Sequence, residues 1–423
     1  EEQAPLGDGT QPNGLDPVAS LGVKLVLVPG AIVRLGFATA AAKDEAELAE
    51  RIDTWLQPVH VQRAARMAAT LAQVRLRDLG ISPDENTALQ DLTTALMYTA
   101  ARPGAEKAPV DQRQLWRFGI SGDRPIVLVR IHSSNGLPLV HALLRAAPWW
   151  HFGGLAVDIV VLNGEPNSYL MPLQRDIMAL RDRLRQQAQH SFAQHPGAGF
   201  YLLREQEVQP GERAALIGLA RVVMSADGRP LDVQVAALRE SWNARQAPAR
   251  ALPAPHPHAP LHALPPQGRF DAASGEFSFE LAPGQTTPRP WVNVIANPQF
   301  GFQVSETGAG FTWAVNSRLH QLTHWSNDAV RDPPSEHWLL HDLDTRQPLA
   351  LLPGTAAAGA APCVVRHGQG YTVFETTTPG LALQTTMFAD TAQAVKVVQI
   401  MVRNHGPQRR HLRALALAEW QLG

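Results

Sequence analysis

Phe277-Ser278-Phe279-Glu280-Leu281 alternates apolar and polar residues with a period of two. That is the pattern of a strand with one face in a core and the other toward water. Similar runs recur at Tyr371–Glu375, Leu381–Phe388, Ala394–Val402 and Leu412–Glu419, with turn residues between them. Short strands at this spacing predict a β-sandwich over 268–423.

Upstream, residues 248–267 hold seven prolines among Ala and His, the composition of a semi-rigid linker. Its three histidines, His256, His258 and His262, have nothing that pins them into a metal geometry, so no metal site is expected. Further upstream the texture is mixed α/β, over 43–247. Pro125–Ile131 and Ala156–Leu162 are continuous apolar runs, and Leu137–Ala147 between them has helical patterning. Strand, crossover helix, strand predicts a parallel pair. A helix over about 170–187 follows, then a strand at 199–203, a short helix and a strand at 216–223.

Acid-rich helix starts precede this region. Asp44, Glu45, Glu47 and Glu50 suit a helix N-terminus. Ser82-Pro83-Asp84-Glu85 is an N-cap with proline at the first helical position. At the front of the chain, Val23–Val28 and Ile32–Phe37 read as two strands around a Pro29-Gly30 turn. A lone hairpin is marginal in water, so these strands need something to pack on, and the far C-terminal sheet is the candidate.

Composition narrows the function classes. The chain has 423 residues, enough for two or three domains at roughly 150 residues each. It is 45% hydrophobic and 18% charged, ample for real cores and too little charge for disorder. The formal net charge of −1 argues against a dedicated nucleic-acid binder. A single cysteine, Cys363, excludes a disulfide framework. No apolar run reaches the roughly 18 residues that cross a bilayer. The acidic start, without an initiator Met or a signal peptide, reads as a piece of a longer protein.

The chemistry-bearing stretch is 291–334, WVNVIANPQFGFQVSETGAGFTWAVNSRLHQLTHWSNDAVRDPP. Four of the ten Trp fall between 291 and 338, interleaved with Asn293, Asn297, Asn316, Arg318, Asn327 and Asp328. Aromatic platforms beside Asn, Asp and Arg suit sugars, which offer apolar C–H faces and hydroxyl arrays. The same tryptophans also fit a second reading, as core anchors of the sandwich.

Several motifs in and just before this stretch carry a resemblance. Arg269-Phe270-Asp271, Phe279-Glu280-Leu281, Pro290-Trp291-Val292-Asn293, Ser305–Trp313, Asn316-Ser317-Arg318 and Leu322-Thr323 resemble the N-terminal β-supersandwich of the cellobiose phosphorylase family, glycoside hydrolase family 94. More particularly, the 291–318 run with Trp325–Pro334 resembles the phosphorylase-like region of cyclic β-1,2-glucan synthases, large proteins of the bacterial inner membrane. Trp116–Asp123, Pro125–Ile131 and Gly154–Asn163 resemble the segment just upstream in those synthases.

The resemblance implies a mixed α/β region followed by a β-supersandwich, with residues 1–42 as remnant strands of an upstream sandwich. It implies a glycosyltransferase parent whose phosphorylase-like acid comes from an (α/α)6 barrel after the supersandwich. The chain stops before such a barrel, so a non-catalytic carbohydrate-binding and scaffold role is expected. The implied partners are a β-1,2-glucan and the other domains of the parent, with no nucleic acid and no cofactor. The implied location is the cytoplasmic face of the inner membrane, without direct membrane contact from this stretch. Because the corresponding loop of the family lies near the barrel mouth, the resemblance points to Trp313, Asn316, Arg318, Trp325, Asn327 and Asp328 as sugar contacts.

Other readings stay open. Glycoside hydrolysis needs two carboxylates roughly 5–10 Å apart. Asp123 with Asp158, or Glu306 with Asp328, are the candidate pairs, and the first would make the α/β region an enzyme in its own right. Asp beside a strand is also an ordinary turn or cap residue. A purely structural spacer is the third reading. Gly119-Ile120-Ser121-Gly122 is not a nucleophile elbow, because Asp123 stands where the last glycine belongs.

Overall fold

A computed structural model describes residues 17–98, 111–167, 170–191, 199–245, 266–287, 289–328, 330–355 and 361–421. In chain order the elements begin with strands β1 (Val18–Leu27) and β2 (Ile32–Ala40), then helices α1 (Glu45–Trp55), α2 (Pro58–Asp78) and α3 (Pro83–Tyr98). Next come β3 (Ile126–Ile131), α4 (Leu137–Phe152), β4 (Asp158–Asn163), α5 (Pro172–Ser191), β5 (Phe200–Arg204), α6 (Pro210–Leu219), β6 (Ala220–Ala226) and α7 (Leu231–Arg245). The rest is all β: β7 (Arg269–Asp271), β8 (Glu276–Leu281), β9 (Val292–Asn297), β10 (Phe300–Ser305), β11 (Gly310–Ala314), β12 (Glu336–Asp342), β13 (Gln347–Leu349), β14 (Cys363–Gly368), β15 (Tyr371–Thr378), β16 (Leu381–Ala389), β17 (Val395–Asn404) and β18 (Arg410–Glu419). Two compact units result, one of residues 1–72 with 258–423 and one of residues 73–257. Most of the Pro-rich tract 248–267 lies outside the described residues.

The second unit is a parallel sheet in the order β5-β4-β3-β6. Ile126 faces Asp158 and Ile159 faces Phe200, so the expected parallel pair is present and extended on both sides. β4 is buried along its whole length and β3 at all positions but Arg130, as a parallel sheet covered on both faces requires. One face packs on α3, α4, α5 and α7; the other packs on α6 and the 3-10 turn Gln112–Phe118. Ser82 and Glu85 exchange hydrogen bonds with each other's backbone N–H, a capping box that starts α3. The strand expected at 216–223 is displaced: Leu216 is buried in helix α6, and β6 begins at Ala220.

The first unit is a sandwich of three antiparallel sheets, ordered β1-β18-β12-β13, β11-β10-β9 and β2-β17-β16-β15-β14-β8-β7. One core joins them, with Phe300, Phe302, Phe374, Leu340, Ile400 and Leu412 fully or almost fully buried. The expectation that residues 1–42 are remnants of an upstream sandwich is corrected. β1 pairs with β18 and β2 with β17, so these strands complete the C-terminal sheets. They are not a hairpin either, because the turn between them carries the chain from one sheet to another. Buried Asn404 holds that crossing, with its side-chain amide donating to Leu27 O at 3.0 Å and its backbone carbonyl accepting from Gly30 N at 2.8 Å. The expected start of the α/β region at residue 43 also moves. Trp55 of α1 and Ala64 and Ala68 of α2 bury against Phe388, Val395 and Val397 of β16 and β17.

Candidate functional site

The site forms on β9–β11. In the antiparallel register Phe302 faces Thr312 and Gly301 faces Trp313. Side chains alternate along a strand, so Phe300, Phe302, Thr312 and Ala314 point to the core while Phe311 and Trp313 share the opposite face. Gly301 makes room for this: a Cβ there would run into the Trp313 indole. Gly310 has φ +151°, and a Cβ there would strike the Gln303 carbonyl, so β11 can start only with glycine.

Three rings line the outward face. Phe311 lies 5.1 Å from Trp313, and Trp325 stacks on Phe311 at 5.3 Å with the planes 20° apart. Phe311 is buried, Trp313 is half-buried and Trp325 is 43% exposed. The four tryptophans of this stretch therefore divide. Trp291 and Trp338 pack in or against the core, while Trp313 and Trp325 form an accessible aromatic strip.

The polar candidates occupy two turns. Asn316 and Arg318 are exposed on the loop after β11, where Asn316 Oδ1 accepts the backbone N–H of Arg318 at 3.0 Å and of Leu319 at 2.8 Å. Val315 enters this loop at φ +62°, strained for a β-branched residue. His320 Nδ1 lies 3.0 Å from Ala314 O, which closes the loop. Asn327 (φ +53°) and Asp328 lie in a later turn. Asp328 Oδ1 accepts from Val330 N at 2.9 Å and Arg331 N at 3.0 Å. The Arg331 and Val330 N–H groups hold its carboxyl below the usual carboxylate range. Contacts thus unite Trp313 with Trp325 through Phe311 and tie Asn316 to the Arg318 backbone; Asn327 and Asp328 sit in their own turn.

Beneath the strip lies a buried ionic network. Lys396 Nζ donates to Glu336 Oε2 at 2.6 Å, and both side chains are almost completely buried. The hydroxyls of Thr312 and Thr323 also donate to Glu336, and the ammonium sits over Phe302 at 4.4 Å and Trp338 at 5.0 Å. Burial pushes the Glu336 carboxyl up, but Lys396 and the two hydroxyls outweigh it and hold it below its ordinary value. Through Thr312 and Thr323 the network fixes both ends of the Val315–Gln321 loop. The sequence reading missed Phe311, Glu336 and Lys396; the i, i+2 spacing of Phe311 and Trp313 was the available signal for the first.

The other carboxylates are engaged elsewhere. Asp158 is buried at the start of β4, accepts from Gly199 N at 3.1 Å and pairs with Arg124 at 3.6 Å. Asp123 is exposed on its turn. Glu306 is 1% exposed and accepts from Thr287 N at 3.2 Å, Thr287 Oγ1 at 2.7 Å and Trp291 N at 2.9 Å. Asn293 and Asn297 donate side-chain N–H groups to the carbonyls of Gly368 and Tyr371, and of Asp390 and Gln393, respectively. Burial pushes the Cys363 thiol up to about 11. Among the described residues no group of three or more His, Cys, Asp or Glu could hold a metal ion, and no helix is long and apolar enough to cross a membrane.

Residues 275–423 match the family model "Glycosyl hydrolase 94, supersandwich domain", and this part of the chain is such a supersandwich. The chain is 31% identical over 437 aligned residues to the cyclic beta-(1,2)-glucan synthase NdvB of Rhizobium meliloti (strain 1021), an alignment that covers 98% of the chain and 15% of the synthase. It is 22% identical over 155 residues to the N,N'-diacetylchitobiose phosphorylase of Vibrio proteolyticus, covering 36% of the chain and 19% of that enzyme. The chain therefore spans about 15% of the length of the synthase. The resemblance drawn from the 291–334 stretch is borne out.

Proposed function

We propose that this chain is a carbohydrate-binding and scaffold part of a cyclic β-1,2-glucan synthase, a glycosyltransferase with a phosphorylase-like glucan-processing region. The observation that carries the reading is the strip of Trp313 and Trp325, accessible rings joined through buried Phe311, on a supersandwich whose relatives process glycans. A pyranose ring presents C–H groups that suit such a face. Arg318 and Asn316 on one turn and Asn327 and Asp328 on the other offer donors and acceptors for its hydroxyls. The strip alone buries few sugar atoms, so binding is weak. The remaining domains of the parent at the cytoplasmic face of the bacterial inner membrane complete the site.

The part itself turns nothing over. Asp158 Oδ1 takes the Gly199 N–H and pairs with Arg124, and both Glu306 oxygens accept backbone N–H groups, which favours structural carboxylates over an acid–base pair. Calorimetric titration with linear β-1,2-glucans, paired with analysis for released sugar, tests both claims. Binding that Trp325→Ala abolishes, with no sugar released, is the expected result. Release of glucose or glucose 1-phosphate overturns the non-catalytic reading, and unaltered binding by Trp325→Ala overturns the strip.

A further inference from the structure

A cleft of about 270 Å³ opens within the first unit between the α1–α2 helices and the turn from β16 to β17. Its apolar lining comes from Trp55 and Met67, and its polar lining includes His60, Arg63, Thr391 and Gln393. The walls are held in place. Trp55 Nε1 donates to Gln393 Oε1 at 2.8 Å, and Asp390 Oδ1 accepts from Ala392 N at 2.9 Å and Gln393 N at 2.7 Å. Asn297 clamps the same turn by donating to the carbonyls of Asp390 and Gln393, both at 2.8 Å.

We propose that this cleft binds a single glucosyl unit, as a site separate from the aromatic strip. The size decides against a chain, because pockets for drug-sized ligands start near about 300 Å³. The lining decides against a simple anion, because the Asp390 carboxylate lines the same cleft as Arg63 and His60. A polyol needs donors and acceptors together. The guanidinium donates, the carboxylate accepts, and the threonine hydroxyl, amide and imidazole do both. Asn297 leads into the Pro298-Gln299 turn, whose Gln299 O accepts from Val315 N at 2.7 Å, so the cleft wall is connected to the loop that bears Asn316 and Arg318. The choice of glucose as the sugar rests on the proposed function above; the site itself does not.

The test follows the Trp55 indole N–H of the full chain by ¹H–¹⁵N correlation spectra, assigned with Trp55→Phe. Glucose and sophorose, the β-1,2-linked disaccharide, are the probes. The expected result is a saturable shift of that resonance by both sugars. The shift persists in Trp325→Ala and weakens at least about fivefold in Arg63→Ala, whose residue is exposed on α2. No shift at concentrations that saturate the strip overturns the proposal, and so does an undiminished shift in Arg63→Ala. A shift produced by inorganic phosphate but by neither sugar also overturns it, as an anion site. Loss of strip binding in Trp325→Ala with the Trp55 response intact separates this site from the proposed function.

Discussion

Replacing Lys396 with Met tests whether the buried ion pair organises the sandwich beneath the aromatic strip. Methionine keeps the length and the apolar stem but removes the charge. Glu336 is then left buried with only the Thr312 and Thr323 hydroxyls. Breaking one side of a buried pair costs about 3–5 kcal/mol. The two surviving hydroxyl donors place this case near the lower end, at about 3 kcal/mol, or roughly 6–12 °C in melting temperature for a unit of this size. The pH dependence has a definite sign. In the native chain the folded pKa of Glu336 lies below the unfolded value of about 4.3, so its contribution is present above that pH and is lost as pH falls through the folded pKa. In Lys396→Met the burial of Glu336 is no longer outweighed, its pKa rises above the ordinary value, and protonation relieves the variant. The gap between the two proteins therefore narrows from neutral pH toward pH 5. Urea unfolding followed by tryptophan emission reads it directly, since Trp338 lies against the ammonium. The double variant Lys396→Met/Glu336→Met removes both charges and is expected to recover most of the loss. A single variant within about 1 kcal/mol of the native chain from pH 5 to 8, or a double variant worse than the single, refutes the reasoning.

Other outcomes follow from the same geometry. Trp325→Ala loses one stacked aromatic contact, worth about 1 kcal/mol, and stays folded; a cooperative loss of the whole unit by circular dichroism makes Trp325 a core anchor instead. Gly310→Ala places a Cβ on the Gln303 carbonyl and costs about 3 kcal/mol or more, so a melting temperature within a degree of the native one contradicts the described start of β11. Burial pushes the His367 imidazole down to about 4, against about 6.5 unfolded, so the native chain loses about 3 kcal/mol as pH falls from 6.5 to 4 while the unfolded chain takes up the proton. His367→Gln flattens that slope, and an unchanged slope assigns the acid sensitivity to other groups.

How much of this was legible depends on how far each interaction reaches along the chain. The parallel strands β3 and β4 showed themselves as continuous apolar runs because both faces of that sheet are covered. The strands of 276–281 and 371–419 were visible as alternation because one face of a strand such as β16 meets the core while the other is partly exposed. β1 and β2 were visible as strands in need of a partner, with the far C-terminal sheet as the candidate, but the particular strands they join were not, since Asn404 lies 377 residues from the Leu27 carbonyl it binds. Periodicity records which face of a strand is wet and says nothing of which strand lies beside it. The candidate site follows the same division. The aromatic content of 291–338 could be read directly, but the split of four tryptophans into two core and two surface residues needed the register that sets Trp313 over Gly301. The ionic network was hidden for the same reason, with Lys396 and Glu336 60 residues apart and each ordinary in its own strand. Asp328, which drew attention as a conspicuous acid near tryptophans, spends Oδ1 on its own turn. Glu336, silent in the sequence, binds the two threonines that anchor the loop of Asn316 and Arg318, so substitutions there reach the loop's geometry from inside the fold.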